Sequence, residues 1–170
     1  MEEFLSQIII GIGANLPRAD GEPPLSTCRT ATSRIAALPG VRLRALSRWY
    51  ATAPVPASDQ PDFVNGAALF TGGTTPERLL CDLLRIEAEF GRVRAARNAA
   101  RTIDLDIIDF GGLVRDAPDP VLPHPRDHRR EFVLRPLAEL VPGWIHPVLG
   151  RSVADLLAEL GPQSARPLAE

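Results

Sequence analysis

Lysine is absent: all 19 basic residues of this 170-residue chain are arginine. A phosphate-binding loop of the G-x-x-x-x-G-K-[ST] kind therefore cannot be built. The strand lysine of protein kinases and lysine Schiff-base chemistry are excluded with it. Any phosphate held here is met by arginine or by backbone. Cysteine is scarce too, with only Cys28 and Cys81. Two such residues make neither a disulfide framework nor a zinc-finger spacing, which fits a reducing compartment. Each falls in an expected helix near apolar neighbours and reads as core filler. No run approaches the ~20 apolar residues of a membrane span. The start, MEEFLSQIIIGIGANL, carries acids where a secretory signal would carry bases. Neither sign of charge dominates, since the net charge is −2. There is thus no basic field and no aromatic RNA-binding strand to suggest nucleic acid. A soluble cytoplasmic protein without nucleic-acid or membrane partners is expected.

What is present is an ordinary globular composition, 45% hydrophobic, at a length that favours one domain, residues 1–170. Gln7 to Ile12 reads as a central strand running into a glycine turn. Helical spacing runs from Pro24 to Leu38 and stops at Pro39-Gly40. Residues 41–50 alternate as a strand with one wet face, 52–62 form a Pro-rich loop, and 63–72 form another strand. Thr75-Pro76 caps a helix that Gly91 ends. Residues 92–100 are a basic loop, 102–110 a strand, and 114–130 irregular. Two short helices follow, the second opened by Ser152 and Asp155, and the tail after about residue 160 should fray. The order β-α-β, β-α-β predicts an α+β fold, a ferredoxin-like split βαβ sandwich. It should have an antiparallel sheet with helices on one face and extra C-terminal helices.

The strand RTIDLDIID carries two aspartates, a residue type poorly suited to strands. Side chains at i and i+2 share a face, so Ile103, Leu105 and Ile107 point one way, and Thr102, Asp104, Asp106 and Ile108 the other. The Cα atoms of the two aspartates should lie ~7 Å apart, given a rise of ~3.3 Å per residue. On an exposed face such a pair is often merely solvated. Here Arg92, Arg94, Arg97 and Arg101 stand upstream, and His124, Arg126, His128, Arg129 and Arg130 downstream. Guanidinium forks match phosphate oxygens. Carboxylates that hold Mg²⁺ between arginine-rich loops are what phosphoryl transfer requires. Two other motifs fail. GIGANL lacks the third glycine of a dinucleotide-binding turn, with Leu16 in its place. His124 and His128 are spaced as a zinc pair, but the segment between them starts with proline and supplies no glutamate base.

RNAARTIDLDII resembles the signature of the 6-hydroxymethyl-7,8-dihydropterin pyrophosphokinase family of folate biosynthesis. IGANL, YATAPVPASDQPDFVN, IEAEFGRVR, LPHPRDHRREFVLRPLAEL and HPVLGRSVADLLAEL follow the family's order over about residues 7 to 160. The resemblance implies transfer of pyrophosphate from ATP to the pterin hydroxymethyl, giving AMP, with two Mg²⁺ ions. It implies Asp104 and Asp106 as metal ligands and Arg92 and Arg101 as catalytic contacts to phosphate. Glu87, Arg94, Ile107, His124 and Arg130 would serve the nucleotide. Phe63 and Phe132 would sandwich the pterin, with Asn65 and the backbone near Thr52, Ala53 and Val55 reading its edge. A flat heteroaromatic ring suits two π-faces and a few placed polar groups. One departure stands out: the family's R-W-G-P-R is Arg97-Asn98-Ala99-Ala100-Arg101 here. A non-catalytic pterin- or nucleotide-binding domain on the same scaffold is the rival reading, and an activity assay separates the two.

Overall fold

A computed structural model describes residues 5–92, 101–161 and 163–169. Arg94, Arg97, Asn98 and their neighbours lie outside the described residues. The first strand, β1 (Ser6–Ala14), is the isoleucine-rich run expected at the centre of a sheet. Helix α1 (Pro24–Ala36) places proline in its first turn, where the missing N–H costs nothing. Strands β2 (Val41–Leu46), β3 (Tyr50–Thr52) and β4 (Phe63–Gly72) come next. Helix α2 (Pro76–Glu89) is capped by the Thr75 hydroxyl, which accepts from Arg78 N at 3.2 Å. It is followed by Gly91 at φ +82, the left-handed conformation that closes helices. Strand β5 (Asp104–Phe110), helices α3 (Glu131–Leu140) and α4 (Val153–Glu159), and a short β6 (Arg166–Pro167) complete the chain.

The sheet order is β5-β1-β4-β3-β6, with β2 also paired to β4, and every pairing is antiparallel. That is the ferredoxin-like order with its second strand divided. The expected single strand 41–50 breaks at Ser47. Ser47 N donates to Ala67 O, and the Ser47 hydroxyl accepts from Ala67 N, both at 2.9 Å.

Three expectations need correction. Helices cover both faces of the sheet, not one. Ile8, Ile10, Ile12, Ile103, Leu105 and Ile107 pack with α1 and α2, whereas Ile9, Ile108 and Leu69 pack with α3 and α4. The tail does not fray: Tyr50 pairs with Pro167 and Ala51 with Arg166, and Leu168 packs on the core. Cys28 is core filler as expected, but Cys81 is exposed. The α2 apolar face is Leu79, Leu83 and Ile86, and position 81 falls on the opposite side of the helix.

A register shift between Ile9 and Ile10 marks a bulge in β5. It turns both Ile108 and Asp109 toward α3 and α4. There Asp109 is buried and accepts from Trp144 Nε1 at 3.0 Å. Each fully buried Ile contributes about 1.5–3 kcal/mol, so the cores above and below β1 both hold the strands that present the aspartates.

Candidate active site

Helices α3 and α4 cover only one end of their face of the sheet. At the other end the same strands present Asp104 and Asp106 from β5, Gly11 and Gly13 from β1, and Phe63 and Asn65 from β4. Register sets Asp106 beside Gly11, and Asp104 beside Gly13, which in turn lies beside Asn65. A Cβ on Gly13 would lie 2.4 Å from Asn65 Oδ1. Lacking side chains, Gly11 and the buried Gly13 let the polar groups of β4 lie over β1 toward the carboxylates, with Asn65 seated on Gly13. Residue order places Gly11 inside the strand and Gly13 in a turn after it, whereas β1 runs through both to Ala14. Their i, i+2 spacing on the strand beside the aspartates was the available signal.

The guanidinium groups gather on Asp104. Arg92 Nη1 reaches Asp104 Oδ1 at 2.6 Å, and Arg101 Nη1 reaches Oδ2 at 2.8 Å. Arg92 Nη1 also lies 2.8 Å from Glu87 Oε1, which accepts from Leu105 N at 2.9 Å. Glu87 is thus a buried support behind Arg92. Burial alone would lower the Arg92 pKa, but the charges of Asp104 and Glu87 outweigh it and raise it.

Asp106 has a different environment. Burial first, then the negative charges of Asp104 and Asp127, push its carboxyl up to about 7. Yet 37% of the side chain remains exposed, so an ion can reach it. His124 Nε2 stands 3.9 Å from Asp106 Oδ2, and its Nδ1 stands 3.0 Å from Asp127 Oδ1. Burial disfavours the imidazolium, but Asp127 and then Asp106 prevail and raise the His124 pKa. Arg130 Nη1 lies 3.5 Å from Asp127, and its guanidinium sits 5.5 Å from the Phe132 ring centroid. Asp127 was not singled out in the sequence. Its position three residues after His124, in the 3₁₀ turn Asp127–Arg129, is what joins them.

These residues fit a hard divalent cation. Two carboxylates share one strand face. Asp104 is held by Arg92 and Arg101. Asp106, raised by burial and then by its negative neighbours, has His124 at 3.9 Å as its nearest cationic side chain among the described residues, and would gain most from a cation. Among the described residues no cluster of three or more histidine, cysteine or carboxylate ligands could complete a metal site. The remaining ligands would have to be waters and phosphate oxygens, as is usual for Mg²⁺.

On the other side of the two glycines, Asn65 Nδ2 donates to the buried Thr52 Oγ1 at 2.7 Å. Ala53 N donates to Ser164 Oγ at 2.8 Å, so its N–H is already engaged. Val55 is exposed and Phe63 half-buried. Phe132 packs on the α3/α4 cluster beneath Arg130. The Ile107 side chain is buried against α1 and α2, on the face its alternation assigns it, which leaves its main chain to meet a nucleotide.

Asn15, also missed, is 1% exposed and ties the two sides together. Its Oδ1 accepts from Arg101 N at 2.9 Å, while Nδ2 donates to Gln60 Oε1 and Pro61 O, both at 3.1 Å. The Arg101 carbonyl accepts from the N–H groups of Asn15 and Leu16.

An antiparallel α+β sandwich that sets paired carboxylates against a guanidinium cluster defines an enzyme of phosphate transfer. Residues 9–142 match the sequence profile of the 7,8-dihydro-6-hydroxymethylpterin-pyrophosphokinase (HPPK) family, and the chain belongs to that family. It is 39% identical over 155 residues to the 2-amino-4-hydroxy-6-hydroxymethyldihydropteridine pyrophosphokinase of Pseudomonas aeruginosa, covering 91% of this chain and 92% of that protein. The protein of the same description from Synechocystis is 32% identical over 161 residues, 95% of this chain and 80% of that one. A crystal structure of an HPPK-DHPS in complex with substrates superposes with a TM-score of 0.64 at 12% identity. The match takes in 91% of this chain but 43% of that one, and it supports the fold alone.

Proposed function

We propose that this chain, acting as a single domain, transfers pyrophosphate from ATP to the hydroxymethyl group of 6-hydroxymethyl-7,8-dihydropterin. The products are AMP and the pterin diphosphate, and the setting is folate biosynthesis. The observation that carries this reading is the stretch of sheet at Gly11 and Gly13, which brings no side chains of its own between the two polar sets. It has Asp104 and Asp106 on one side and Asn65, Thr52 and Phe63 on the other. Phosphates and a flat ring can lie on one surface within reach of both sets.

The pterin hydroxyl oxygen attacks the β-phosphorus of ATP, the bond from that phosphorus to the α–β bridging oxygen breaks, and AMP departs. The hydroxyl proton passes to solvent water. Asp104 and Asp106 would hold the two Mg²⁺ ions of the reaction, which would supply positive charge to offset that of the phosphate oxygens. Arg92 and Arg101 leave Asp104 and turn to the phosphates, where fixed cations offset charge developing on the transferring group. Glu87 keeps Arg92 aimed. His124, held by Asp127, and Arg130 donate to the nucleotide phosphates from the opposite wall, with Arg94 and the Ile107 main chain completing the nucleotide side. Asn65 and the backbone of Thr52, Ala53 and Val55 read the pterin edge, and Phe63 and Phe132 take its two faces.

The test is AMP formation from ATP with Mg²⁺, with and without the dihydropterin. Dihydropterin-dependent AMP is expected. ATP hydrolysis indifferent to the pterin, or no turnover at all, would refute the reading and favour a binding domain.

A further inference from the structure

The C-terminal tail lies beyond the family match, which ends at residue 142. It nevertheless reaches Ala53, itself assigned to the pterin edge, and the chain neighbours of Phe63 and Phe132. Ser164 Oγ accepts from Ala53 N at 2.8 Å, next to Thr52. Gln163 Oε1 accepts from Glu131 N at 3.0 Å, next to Phe132. Arg166 Nη2 stands 3.3 Å from Asp62 Oδ2, next to Phe63. Strand β6 pairs with Tyr50 and Ala51, and Leu168 N donates to Trp49 O at 2.8 Å. One short segment thus bridges β3, the 53–62 loop and the start of α3. Among the described residues, β3 otherwise pairs with β4 alone.

We infer that Gln163 and Ser164 are positioning residues for the pterin: the tail braces the two walls that grip the ring and sets the spacing between Thr52, Phe63 and Phe132. The inference rests on the pterin assignment made above. Physically, a pocket whose walls come from β3, β4 and α3 loses affinity when those walls move independently, because ordering them is then charged to binding. Glu131 N belongs to the first turn of α3, where the backbone N–H groups lack partners within the helix. The Gln163 amide supplies one and so fixes where the helix begins. The Arg166–Asp62 pair is exposed on both sides and contributes little. The two side-chain-to-backbone hydrogen bonds carry the brace.

The experiment uses the full chain carrying Gln163→Ala and Ser164→Ala together. Both residues are exposed, so the change removes two hydrogen bonds without opening a core. AMP formation would be followed against dihydropterin at saturating ATP, and against ATP at saturating dihydropterin. The KM for dihydropterin should rise about tenfold, with kcat and the KM for ATP within about twofold. Restoring a hydroxyl in Gln163→Ala/Ser164→Thr should recover part of that loss. An unchanged dihydropterin KM would overturn the brace. So would an equal rise in both KM values, which would mark a general loosening. A lower dihydropterin KM would overturn it too, showing that Ser164 occupies an N–H the pterin needs. Wild-type AMP formation that depends on dihydropterin is the control, and its absence would overturn the functional reading together with this one.

Discussion

The two faces of the sheet are built from alternate residues of the same strands, and they have divergent fates. Toward α1 and α2, β1 presents Ile8, Ile10 and Ile12 while β5 presents Leu105 and Ile107, preceded by Ile103, all buried. Toward α3 and α4, Ile9 and Ile108 are buried, but Gly11, Gly13, Asp104 and Asp106 follow on the same face beyond the helices' cover. Along β1 and β5, one face is core throughout. The other is core for half its length and a polar floor for the rest. Parity in the sequence therefore separates stability from chemistry. A change at an even position of β1 should act on folding, and a change at Gly13 or Asp106 on turnover.

The sharpest way to break this division is at the carboxylates. Asp106→Ala should lower kcat roughly a thousandfold, the scale of losing a key electrostatic contact. It should leave the fold as stable as before or more so, because a repelled charge is gone. Activity near wild type at saturating Mg²⁺ would remove Asp106 from the metal site. Asp104→Ala should cost similar activity but also stability, since Arg92 and Arg101 lose their partner. On the opposite face, Ile10→Ala should cost about 3 kcal/mol in denaturant unfolding, with kcat unchanged while the protein stays folded. A loss of kcat there would mean that the two faces are coupled.

Smaller effects separate the glycines. In Gly13→Ala the new Cβ lies 2.4 Å from Asn65 Oδ1 and must displace it. The dihydropterin KM should rise about tenfold, as for a misplaced binding group. In Gly11→Ala the nearest atom is Ile108 Cδ1 at 3.3 Å, the end of a side chain that can shift. Its KM should stay within about twofold. Equal effects would remove Asn65 from the pterin edge.

The smallest prediction concerns pH without metal or nucleotide. Asp106 has its pKa raised from 3.8 to about 7. The folded state then holds a proton that the unfolded chain has released. Its contribution to stability is full below the unfolded pKa and is lost as pH rises through about 7. Relative to Asp106→Asn, the wild-type Tm should fall between about pH 4 and 7, and added Mg²⁺ should recover it at the upper end. A pH-independent difference would place Asp106 among ordinary solvated carboxylates.

Much of this was legible from residue order. The α2 cap at Thr75 and Pro76 and the alternation of the RTIDLDIID strand rest on contacts within a few residues, and they stand where they were expected. The aspartates were legible because unlike residues interrupt an apolar pattern. Asp127 was harder to see, since its link to His124 depends on a single turn of 3₁₀ helix within an irregular segment. Ile107, by contrast, was legible, since its parity alone puts the side chain in the core.

By itself the sequence determined the element order, the parity of the strands, the need for arginine at any phosphate, and the paired carboxylates. All of these follow from local periodicity and from composition. Only the tertiary structure decided that α3 and α4 cover a second face and stop short of its end. It also decided that Gly13 lies under Asn65, that Asn15 joins the loop at Gln60 to Arg101, and that the tail becomes a strand on β3. Those outcomes depend on register between segments dozens of residues apart. A shift of one residue in a strand exchanges its two faces, and a two-residue strand such as β6 exists only where another strand's edge is there to receive it.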